Sequence, residues 1–349
     1  MALRGKGSAS TLELTDLPTP EISDPHDVRI ALRTAALNHL DLFAIGGIPG
    51  LTLQFPHVLG ADGAGVVDSV GAGVTRVETG DRVLINPGVS CYDCESCNRG
   101  EHSLCVRYSL LGEHLPGTLA EYVIVPEVNV ARIPSLPIRM PEVSWAEAAA
   151  FPLATLTAWR MLTTRARVQN GEVVLIWGIG GGVALAALAV AKLAGAFVIV
   201  TSSSDRKLAT ARELGADVAW NHSTVDVPRE IRKLTDKRGA DVVVDNVGEA
   251  TWQLSLKALA KGGRLVTCGG TSGPMVVSDV RRVFWNQYTI MGSTMGNAAE
   301  FAEIVRLLGE GKLRPHVDSV VPLKEGAEAI DRLRQGNQMG KIVVEIRSR

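Results

Sequence analysis

The chain's 349 residues exceed what one ordinary hydrophobic core holds, and this length fits two domains. A content of 46% hydrophobic and 21% charged residues is normal for a globular protein, and a net charge of −1 gives no field that would favour nucleic acid or an anionic membrane as a partner. No apolar run approaches the roughly 20 residues of a membrane span, and no apolar stretch follows the N-terminal Met-Ala-Leu-Arg-Gly-Lys. We therefore expect a cytoplasmic protein without a signal peptide.

The first half of the chain is rich in Gly, Pro and Val, and this composition predicts irregular β structure. Apolar alternation and glycine turns predict strands over residues 28–32, 63–70, 81–85 and 121–125.

The pattern changes near residue 145, where apolar strand-like runs begin to alternate with helical segments. The predicted strands cover residues 173–177, 197–201, 241–245 and 264–268. Helices are predicted over 183–193, which Gly195 ends, and over 206–214, with Asp205 as N-cap and Gly215 as terminator. Strands that alternate with helices predict βαβ units and a parallel sheet.

The last part of the chain, from about residue 290, is less regular. It predicts a helix near 299–310 and a strand over 341–346, while the apolar residues 288–291 could supply an edge strand.

Four of the five cysteines, Cys91, Cys94, Cys97 and Cys105, fall within fifteen residues. A thiolate quartet at this spacing is typical of a structural Zn²⁺ site, in a lobe over about residues 88–107. Disulfides are the alternative, but thiols of a large cytosolic protein stay reduced. Cys268 follows an apolar run, and we interpret it as a small buried hydrophobe.

A glycine cluster, Gly178 to Gly182, lies between a predicted strand and a predicted helix. This is where a dinucleotide pyrophosphate meets a helix N-terminus. The dinucleotide-binding motif Gly-x-Gly-x-x-Gly fits this cluster in two registers. One starts at Gly178 and places Val183 at the third glycine position, and the other starts at Ile179 and places Ala184 at that position. The predicted pyrophosphate contacts are Gly180, Gly181, Gly182 and Val183.

The residues after the second strand of this unit indicate which cofactor it takes. An NAD site places an acid there, whereas this chain carries Ser202 and Ser203, followed by Arg206 and Lys207. Hydroxyl groups leave room for a 2′-phosphate, and the two cations can neutralise it. We predict NADP(H) as the cofactor.

Several further motifs resemble those of the medium-chain dehydrogenase/reductase superfamily. They are 38–41 (Asn-His-Leu-Asp), 60–65 (Gly-Ala-Asp-Gly-Ala-Gly), 80–83 (Gly-Asp-Arg-Val), 117–122 (Gly-Thr-Leu-Ala-Glu-Tyr), 156–159 (Leu-Thr-Ala-Trp) and 340–341 (Gly-Lys), together with the cysteine quartet. The chain is similar to the zinc-type alcohol dehydrogenase family, with quinone-reductase-like features. This resemblance implies an α/β protein with a GroES-like irregular β catalytic domain, over 1–155 and 290–349, and a Rossmann domain with a doubly wound parallel sheet, over 156–289.

The same resemblance locates three ligand positions of a catalytic zinc, which here are Asn38, Ala61 and Leu153. Two of these have no donor atom, and an amide oxygen is a poor zinc ligand. Leu40 stands where the family places a proton-relaying Ser or Thr. We therefore expect no catalytic zinc, and reduction of bulky hydrophobic ketones, enones or quinones that are already electrophilic.

The resemblance also implies roles for residues around the cleft. The implied catalytic side chains are Asn38, Asp41 and Asp62. Further implied cofactor contacts are His39, Thr157, His222, Asn246, Gly269, Gly270 and Lys341, the last reaching the cofactor phosphates. Leu40, Leu153 and Trp285 or their neighbours are expected to line an apolar pocket.

Two other functions stay open from the sequence. One is a non-catalytic NADPH-binding sensor, and the other is an alcohol dehydrogenase whose displaced metal is bound by Asp41 and Asp62. The family's members pair through the cofactor domain, which implies a homodimer or homotetramer. We expect a small-molecule carbonyl or activated-alkene substrate and no nucleic-acid or membrane partner.

Overall fold

The computed structural model describes residues 1–5, 12–137 and 140–347. These form two compact units, the first from Met1–Ala154 together with the segment from Gly296 onward, the second from Thr155–Met295. The domain boundaries predicted from the sequence lie at 155/156 and 289/290. No helix among the described residues combines the length and apolar character that crossing a bilayer requires.

The described residues form strands in both units. They are β1 (Ala2–Leu3), β2 (Leu12–Glu13), β3 (Asp27–Ala36), β4 (His57–Val58), β5 (Asp62–Val70), β6 (Arg82–Ile85), β7 (Gly88–Val89), β8 (Ser109–Leu110), β9 (Tyr122–Pro126), β10 (Val130–Arg132), β11 (Val173–Ile176), β12 (Phe197–Ser202), β13 (Val218–Asn221), β14 (Ala240–Val244), β15 (Leu259–Thr267), β16 (Thr289–Gly292), β17 (Val317–Pro322) and β18 (Lys341–Glu345). In the first unit β3 and β5 are longer than the others.

Of the α-helices in the described residues, five lie in each unit and one spans the boundary between them. They are α1 (His39–Gly46), α2 (Glu95–Asn98), α3 (Trp145–Ala150), α4 (Pro152–Trp159), α5 (Gly182–Leu193), α6 (Asp205–Glu213), α7 (Val227–Leu234), α8 (Trp252–Ala258), α9 (Val280–Trp285), α10 (Ala298–Gly309) and α11 (Gly326–Arg334). A π-helical segment spans Arg160–Arg165, and 3₁₀ turns span His102–Leu104, Glu127–Asn129 and Leu323–Glu325.

The first unit is built around β3, the central strand of a seven-stranded sheet. The strand order is β10-β6-β5-β3-β18-β17, and β9 also pairs with β3. Burial alternates along most of β3 because one face packs on the core, as the sequence alternation predicts. The pairing is antiparallel on both sides, with Ala36 opposite Asp62 of β5 and opposite Val343 of β18. This register brings the start of β5 and the start of β18 to the end of β3.

The second unit contains a six-stranded, all-parallel sheet with the order β13-β12-β11-β14-β15-β16. In chain order within the unit this is 3-2-1-4-5-6, the doubly wound arrangement. All four residues of β11 are buried, as expected for a central strand covered on both faces. Each fully buried Val, Leu or Ile contributes about 1.5–3 kcal/mol relative to an exposed one. The α/β class predicted from the sequence is confirmed.

One predicted helix boundary is wrong. Asp205 is not an N-cap but the first residue of α6, and Ser204, in extended backbone, accepts a hydrogen bond from the Lys207 N–H. The Asp205 carboxylate instead accepts from the Asn221 amide, at 2.9 Å. The sequence Ser-Ser-Ser-Asp offers four successive residues that suit an N-cap, so composition alone does not select among them.

Trp285, which was expected with Leu40, Leu153 or their neighbours to line an apolar pocket, lies in α9. It is 74% exposed, and α9 buries none of its residues. Its place in a pocket wall stays a prediction.

Candidate active site and zinc site

The four clustered cysteines lie in the segment that joins β7 to β8, two strands that pair antiparallel. Their Sγ atoms all lie within 4.8 Å of one another, with Cys91 to Cys97 at 3.9 Å and Cys91 to Cys105 at 3.3 Å. Tetrahedral zinc with Zn–S bonds of about 2.3 Å requires sulfur atoms about 3.8 Å apart. Within the described residues, this is the one group of three or more His, Cys, Asp or Glu side chains placed to hold a metal.

The surroundings act differently on the individual thiols of this quartet. The backbone N–H groups of Cys97 and Val106 lower the pKa of the Cys94 thiol to about 6, while burial raises the pKa of the Cys97 thiol to about 12. Four thiolates this close repel one another unless a cation neutralises them. The donor set fits one structural Zn²⁺, and four protein ligands leave no open position for a substrate.

Three side chains that are far apart in sequence meet where β3, β5 and β18 come together. Asn38 follows β3, Asp62 begins β5 and Lys341 begins β18. The Lys341 ammonium donates to Asn38 Oδ1 at 2.5 Å and to Asp62 Oδ2 at 2.9 Å. Asn38 Nδ2 also donates to Asp62 Oδ2, at 2.9 Å. We call these three residues the buried ion-pair cluster.

The buried ion-pair cluster is almost completely shielded from solvent. Asp62 is 0% exposed, Lys341 4% and Asn38 8%. The second carboxylate oxygen of Asp62 accepts from the backbone N–H of Leu153, at 2.8 Å. The Asp62 carboxylate thus has a paired ammonium and two further donors, which offset the free-energy cost of burying it.

Asp41 lies beside this cluster and has a different role in the structure. Its Oδ2 accepts from the backbone N–H of Asn38 at 2.8 Å, and its Oδ1 from that of Gly60 at 3.0 Å. Burial raises the pKa of Asp41 to about 6, although these two N–H groups and the charge of Lys341 oppose the shift. Asp41 thus ties the start of α1 to the loop before Ala61.

The adjacent residue His39 is the first residue of α1. Burial, and next the positive charge of Lys341, lower the pKa of its imidazole. His39 is therefore neutral at physiological pH.

The three positions that the resemblance implies for a catalytic zinc, Asn38, Ala61 and Leu153, all lie within the described residues. Of these, only Asn38 has a side-chain donor atom, and its Oδ1 accepts from the Lys341 ammonium. Ala61 is fully buried, and Leu153 contributes its backbone N–H to Asp62.

Most of the predicted cofactor residues of the second unit lie at one edge of its sheet. Because the strands are parallel, their carboxyl ends meet there, which is where doubly wound sheets bind ligands. Predicted residues at or just beyond these ends are Gly180, Gly181, Gly182 and Val183 after β11, Ser202, Ser203, Arg206 and Lys207 at or after β12, His222 after β13, Asn246 after β14, and Gly269 and Gly270 after β15. Thr157 lies in α4, where its hydroxyl contacts the Met295 sulfur at 3.5 Å. His39 and Lys341 belong to the other unit.

The glycine loop has the features that a phosphate-binding turn requires. Gly178 has a φ of +68°, a conformation that favours glycine, and Gly181 is the N-cap of α5. A Cβ atom on Gly180 would lie 2.6 Å from the Lys207 Nζ atom, so this ammonium lies directly over the loop. Asn246 Oδ1 is buried and has no hydrogen-bond partner within the described chain. These residues fit a dinucleotide.

The sequence reasoning missed the buried ion-pair cluster as a unit, although it singled out each member. Gly340 is the sequence feature that could have indicated that Lys341 points into the first unit. Its φ is +98°, and a Cβ atom there would lie 2.3 Å from the His316 carbonyl oxygen. Glycine at this position lets β18 start close to that segment and aims the next residue, Lys341, into the unit.

Comparison with known proteins agrees with this architecture. Residues 24–135 match the family described as "Alcohol dehydrogenase GroES-like domain", and residues 182–310 match "Zinc-binding dehydrogenase". An NAD-dependent alcohol dehydrogenase of Sulfurisphaera tokodaii is 31% identical over 342 residues, which are 95% of this chain and 96% of the relative.

Two solved structures are similar along almost the whole chain. A crystal structure of an NAD-dependent alcohol dehydrogenase is 45% identical, with a TM-score of 0.93 and 99% of each chain covered. The 2-octenoyl-CoA carboxylase reductase CinF, in complex with NADP and 2-octenoyl-CoA, is 29% identical, with a TM-score of 0.85, and the match covers 97% of this chain and 82% of that one.

A GroES-like unit joined to a doubly wound Rossmann unit defines the medium-chain dehydrogenase/reductase superfamily of oxidoreductases. Within this superfamily, the chain belongs to the zinc-type alcohol dehydrogenase family, as its sequence predicts.

Proposed function

We propose that this protein is an NADP(H)-dependent oxidoreductase that works without catalytic zinc and transfers hydride to bulky hydrophobic ketones, enones or quinones. The observation that carries the proposal is the buried ion-pair cluster. A lysine ammonium bonds to Asn38 and Asp62, next to positions where related enzymes bind a metal. An alcohol dehydrogenase of the zinc type needs three donor atoms there, and Ala61 and Leu153 supply none.

The choice of substrate follows from the missing Lewis acid. Zinc lowers the pKa of a bound alcohol, and without it the oxidation of simple alcohols is slow. A carbonyl, an enone or a quinone is already electrophilic and needs only hydrogen-bond donors for the charge that develops on its oxygen. The resemblance assigns the handling of that oxygen to Asn38, Asp41 and Asp62. Asp41, whose two oxygens both accept from backbone N–H groups, is the member best suited to a positioning role.

The choice of NADP(H) rests on the residues after β12. Ser202 and Ser203 occupy the place of the acid that binds the ribose hydroxyls of NAD, and the Lys207 ammonium lies over the glycine loop. The carboxylate of Asp205 is engaged by Asn221, which removes it as a competitor for the ribose. Two of the relatives above are named NAD-dependent and one was solved with NADP, so cofactor preference varies among similar chains. When bound, NADPH supplies the hydride.

The test is a panel of substrates with NADPH oxidation as the readout, together with elemental analysis of the protein. We expect turnover of at least one of acetophenone, cinnamaldehyde and menadione, no detectable ethanol oxidation with NADP⁺, and one zinc per chain. Rapid ethanol oxidation would overturn the proposal.

Two other functions are distinguished by the same measurements. A non-catalytic NADPH sensor predicts cofactor binding without turnover of any panel member. An alcohol dehydrogenase with a displaced metal on Asp41 and Asp62 predicts two metals per chain. Against the second, both oxygens of Asp41 and both of Asp62 already accept hydrogen bonds.

We also propose a homodimer that pairs through the second unit. An apolar surface there consists of α9, the segment before it and part of the edge strand β16. Its exposed side chains are Met275, Val276, Val277, Val280, Phe284, Trp285 and Ile290. A cluster of large apolar side chains on a globular protein marks an interaction site. Because β16 is an edge strand, a second copy could extend the sheet across a two-fold axis.

A further inference from the structure

We infer that Lys341 is the group that replaces the metal cation of this site: its ammonium donates a hydrogen bond, and then a proton, to the substrate's carbonyl oxygen. This role differs from the cofactor-phosphate contact that the resemblance implies for Lys341, and it rests on the proposed function, because it presupposes a carbonyl-containing substrate. It makes Lys341 a catalytic residue.

The first support is the hydrogen-bond count at Lys341. An ammonium has three N–H donors. Two of them bond to Asn38 Oδ1 and Asp62 Oδ2, and within the described chain the third has no protein acceptor, although the side chain is only 4% exposed. A buried donor without a partner costs free energy unless a ligand or water accepts from it. The third donor is therefore left for a ligand or a water molecule.

The second support is how rigidly the ammonium is held. The Lys341 backbone N–H donates to the His316 carbonyl at 2.9 Å, at a position where Gly340 permits close approach. At the other end of the side chain, Asn38 and Asp62 fix Nζ from two sides. A donor held in advance at a water-poor site stabilises developing negative charge without having to reorganise during the reaction.

The third support is the charge of the cluster. Asp62 pairs with Lys341 at 2.9 Å, and this ion pair offsets the cost of burying the Lys341 ammonium. Asn38 is oriented with its oxygen toward Lys341 and its amide nitrogen toward Asp62 and the Ala36 carbonyl. The buried ion-pair cluster thus uses two of the three Lys341 donors within the described chain.

When the substrate is a ketone, its carbonyl carbon accepts a hydride, with its electron pair, from NADPH, which becomes NADP⁺, and the π pair of the carbonyl moves to oxygen. That oxygen forms an O–H bond with a proton from Lys341 Nζ, whose N–H bond breaks and leaves a neutral amine. A proton from solvent water then restores the ammonium. For an enone, the hydride adds at the β-carbon, and Lys341 protonates the enolate oxygen.

The kinetic test compares Lys341→Met, which removes the charge, with Lys341→Arg, which keeps it. For Lys341→Met we expect kcat for acetophenone to fall about 100-fold or more, as when an oxyanion donor is lost, while the NADPH Kd changes less than about threefold. Lys341→Arg should recover part of kcat. Lys324→Met, at an exposed position of the same unit, is the matched control and should leave both constants unchanged.

A variant that leaves Asp62 unpaired in the interior could fail to fold. The double variant Asp62→Asn with Lys341→Met removes both charges and keeps the site neutral, and it should fold and show the same loss of kcat. Addition of methylammonium to Lys341→Ala should restore part of the activity, which loss of a merely structural contact would not allow.

A second readout does not depend on turnover. Benzamide presents a carbonyl oxygen that NADPH cannot reduce, and calorimetry measures its binding to the NADPH complex. We expect Lys341→Met to weaken benzamide binding by about 10-fold or more, the effect of losing a hydrogen bond to a charged donor. Equal binding by Lys341→Met and wild type, or none by wild type, overturns the inference.

The remaining outcomes separate the inference from its alternatives. If Lys341→Met raises the NADPH Kd about 10-fold or more and leaves kcat at saturating NADPH unchanged, Lys341 is a cofactor-phosphate ligand and the inference is wrong. If neither constant changes, the ion pair is only structural and the inference is also wrong. Failure of the proposed function looks different: wild-type protein then turns over no member of the substrate panel.

Discussion

Asp41 shows how one buried carboxyl group can serve the architecture of a site rather than its chemistry. Both of its oxygens accept backbone N–H groups, and burial raises its pKa to about 6. Since the folded pKa lies above the ordinary value of 3.8, the folded protein holds this proton more tightly than the unfolded chain. The stability that Asp41 contributes is complete below about pH 4 and falls as the pH rises to about 6.

We therefore expect Asp41→Asn to be less stable than wild type at pH 4, because the new amide cannot accept from both N–H groups. This difference in unfolding free energy should shrink by up to about 3 kcal/mol between pH 4 and pH 6, since a shift of about two pKa units corresponds to that energy. Denaturant titration at several pH values measures it, with the exposed Asp236→Asn as control. A difference that does not change with pH would contradict the prediction.

Lys207 decides cofactor preference if its ammonium over the glycine loop meets the 2′-phosphate. We expect Lys207→Ala to raise the Kd for NADPH about 10-fold or more, the effect of losing a charge-assisted hydrogen bond, and to leave the Kd for NADH within about twofold. Fluorescence titration with both cofactors measures this, and Lys233→Ala, which removes an exposed cation paired with Glu230, is the control. Tighter binding of NADH than of NADPH by wild type would show that the cofactor prediction is wrong.

For individual residues, the sequence predicted a place in a functional site only where the residue belongs to a local motif. Short recognisable motifs contain Asn38, Asp41 and Asp62, and the spacing of the four cysteines alone indicates a metal site. The contact of Lys341 with Asn38 could not be predicted, since these residues are 303 positions apart and meet only through the pairing of β3 with β18.

Among the elements, the lobe between β7 and β8 contains little structure that could hold it together without metal. It contains the four-residue helix α2 and one 3₁₀ turn, and only Cys97 and Cys105 of the quartet are buried. A short segment with so small a core depends on its ligated ion for stability.

We expect Cys97→Ser to lose its zinc and to unfold at a Tm roughly 5–10 °C lower, consistent with a loss of about 3 kcal/mol. Elemental analysis and calorimetry measure the two effects, and Cys268→Ser, outside the lobe, should keep both the zinc and the Tm. One zinc per chain in Cys97→Ser would contradict the assignment.

Strands β11, β12, β14 and β15 and helices α5 and α6 of the second unit were predicted because each is a local pattern: an apolar run, a cap or a terminating glycine. Strand β13 and helix α7 were not predicted. Gly195 and Gly215 do end α5 and α6, with φ values of +77° and +100°. The exact cap at Ser204 and the exposure of α9 were not predictable. Several neighbouring residues have a similar propensity to cap α6, so the pattern does not select Ser204. The exposure of α9 depends on which other part of the structure covers its apolar side chains, and a sequence pattern does not contain that information.

For the whole molecule, that apolar surface predicts the oligomeric state. We expect wild-type protein to sediment as a dimer and Trp285→Glu as a monomer at micromolar concentration. A carboxylate buried without a partner in the interface costs about 3 kcal/mol or more, which weakens the dimer more than 100-fold. Analytical ultracentrifugation measures this.

Leu14→Glu serves as the control for this prediction. Leu14 is an exposed apolar residue of the first unit, with 62% of its side chain accessible, so a charge there should leave the dimer intact. A wild-type monomer, or a dimer of unchanged strength for Trp285→Glu, would contradict the proposed interface.

The long sequence separation between Asn38 and Lys341 also sets an order of events during synthesis. A ribosome delivers Asn38 and Asp62 first, then the whole of the second unit, and the lysine that neutralises Asp62 only 303 residues after Asn38. At about 5–20 residues per second, the interval is roughly 15–60 s. Throughout that time the nascent first unit holds a carboxylate whose partner does not yet exist, while the second unit is already complete and able to fold. A translation complex stalled just before codon 341 should therefore display a folded nucleotide-binding unit attached to an unfinished, protease-sensitive catalytic one.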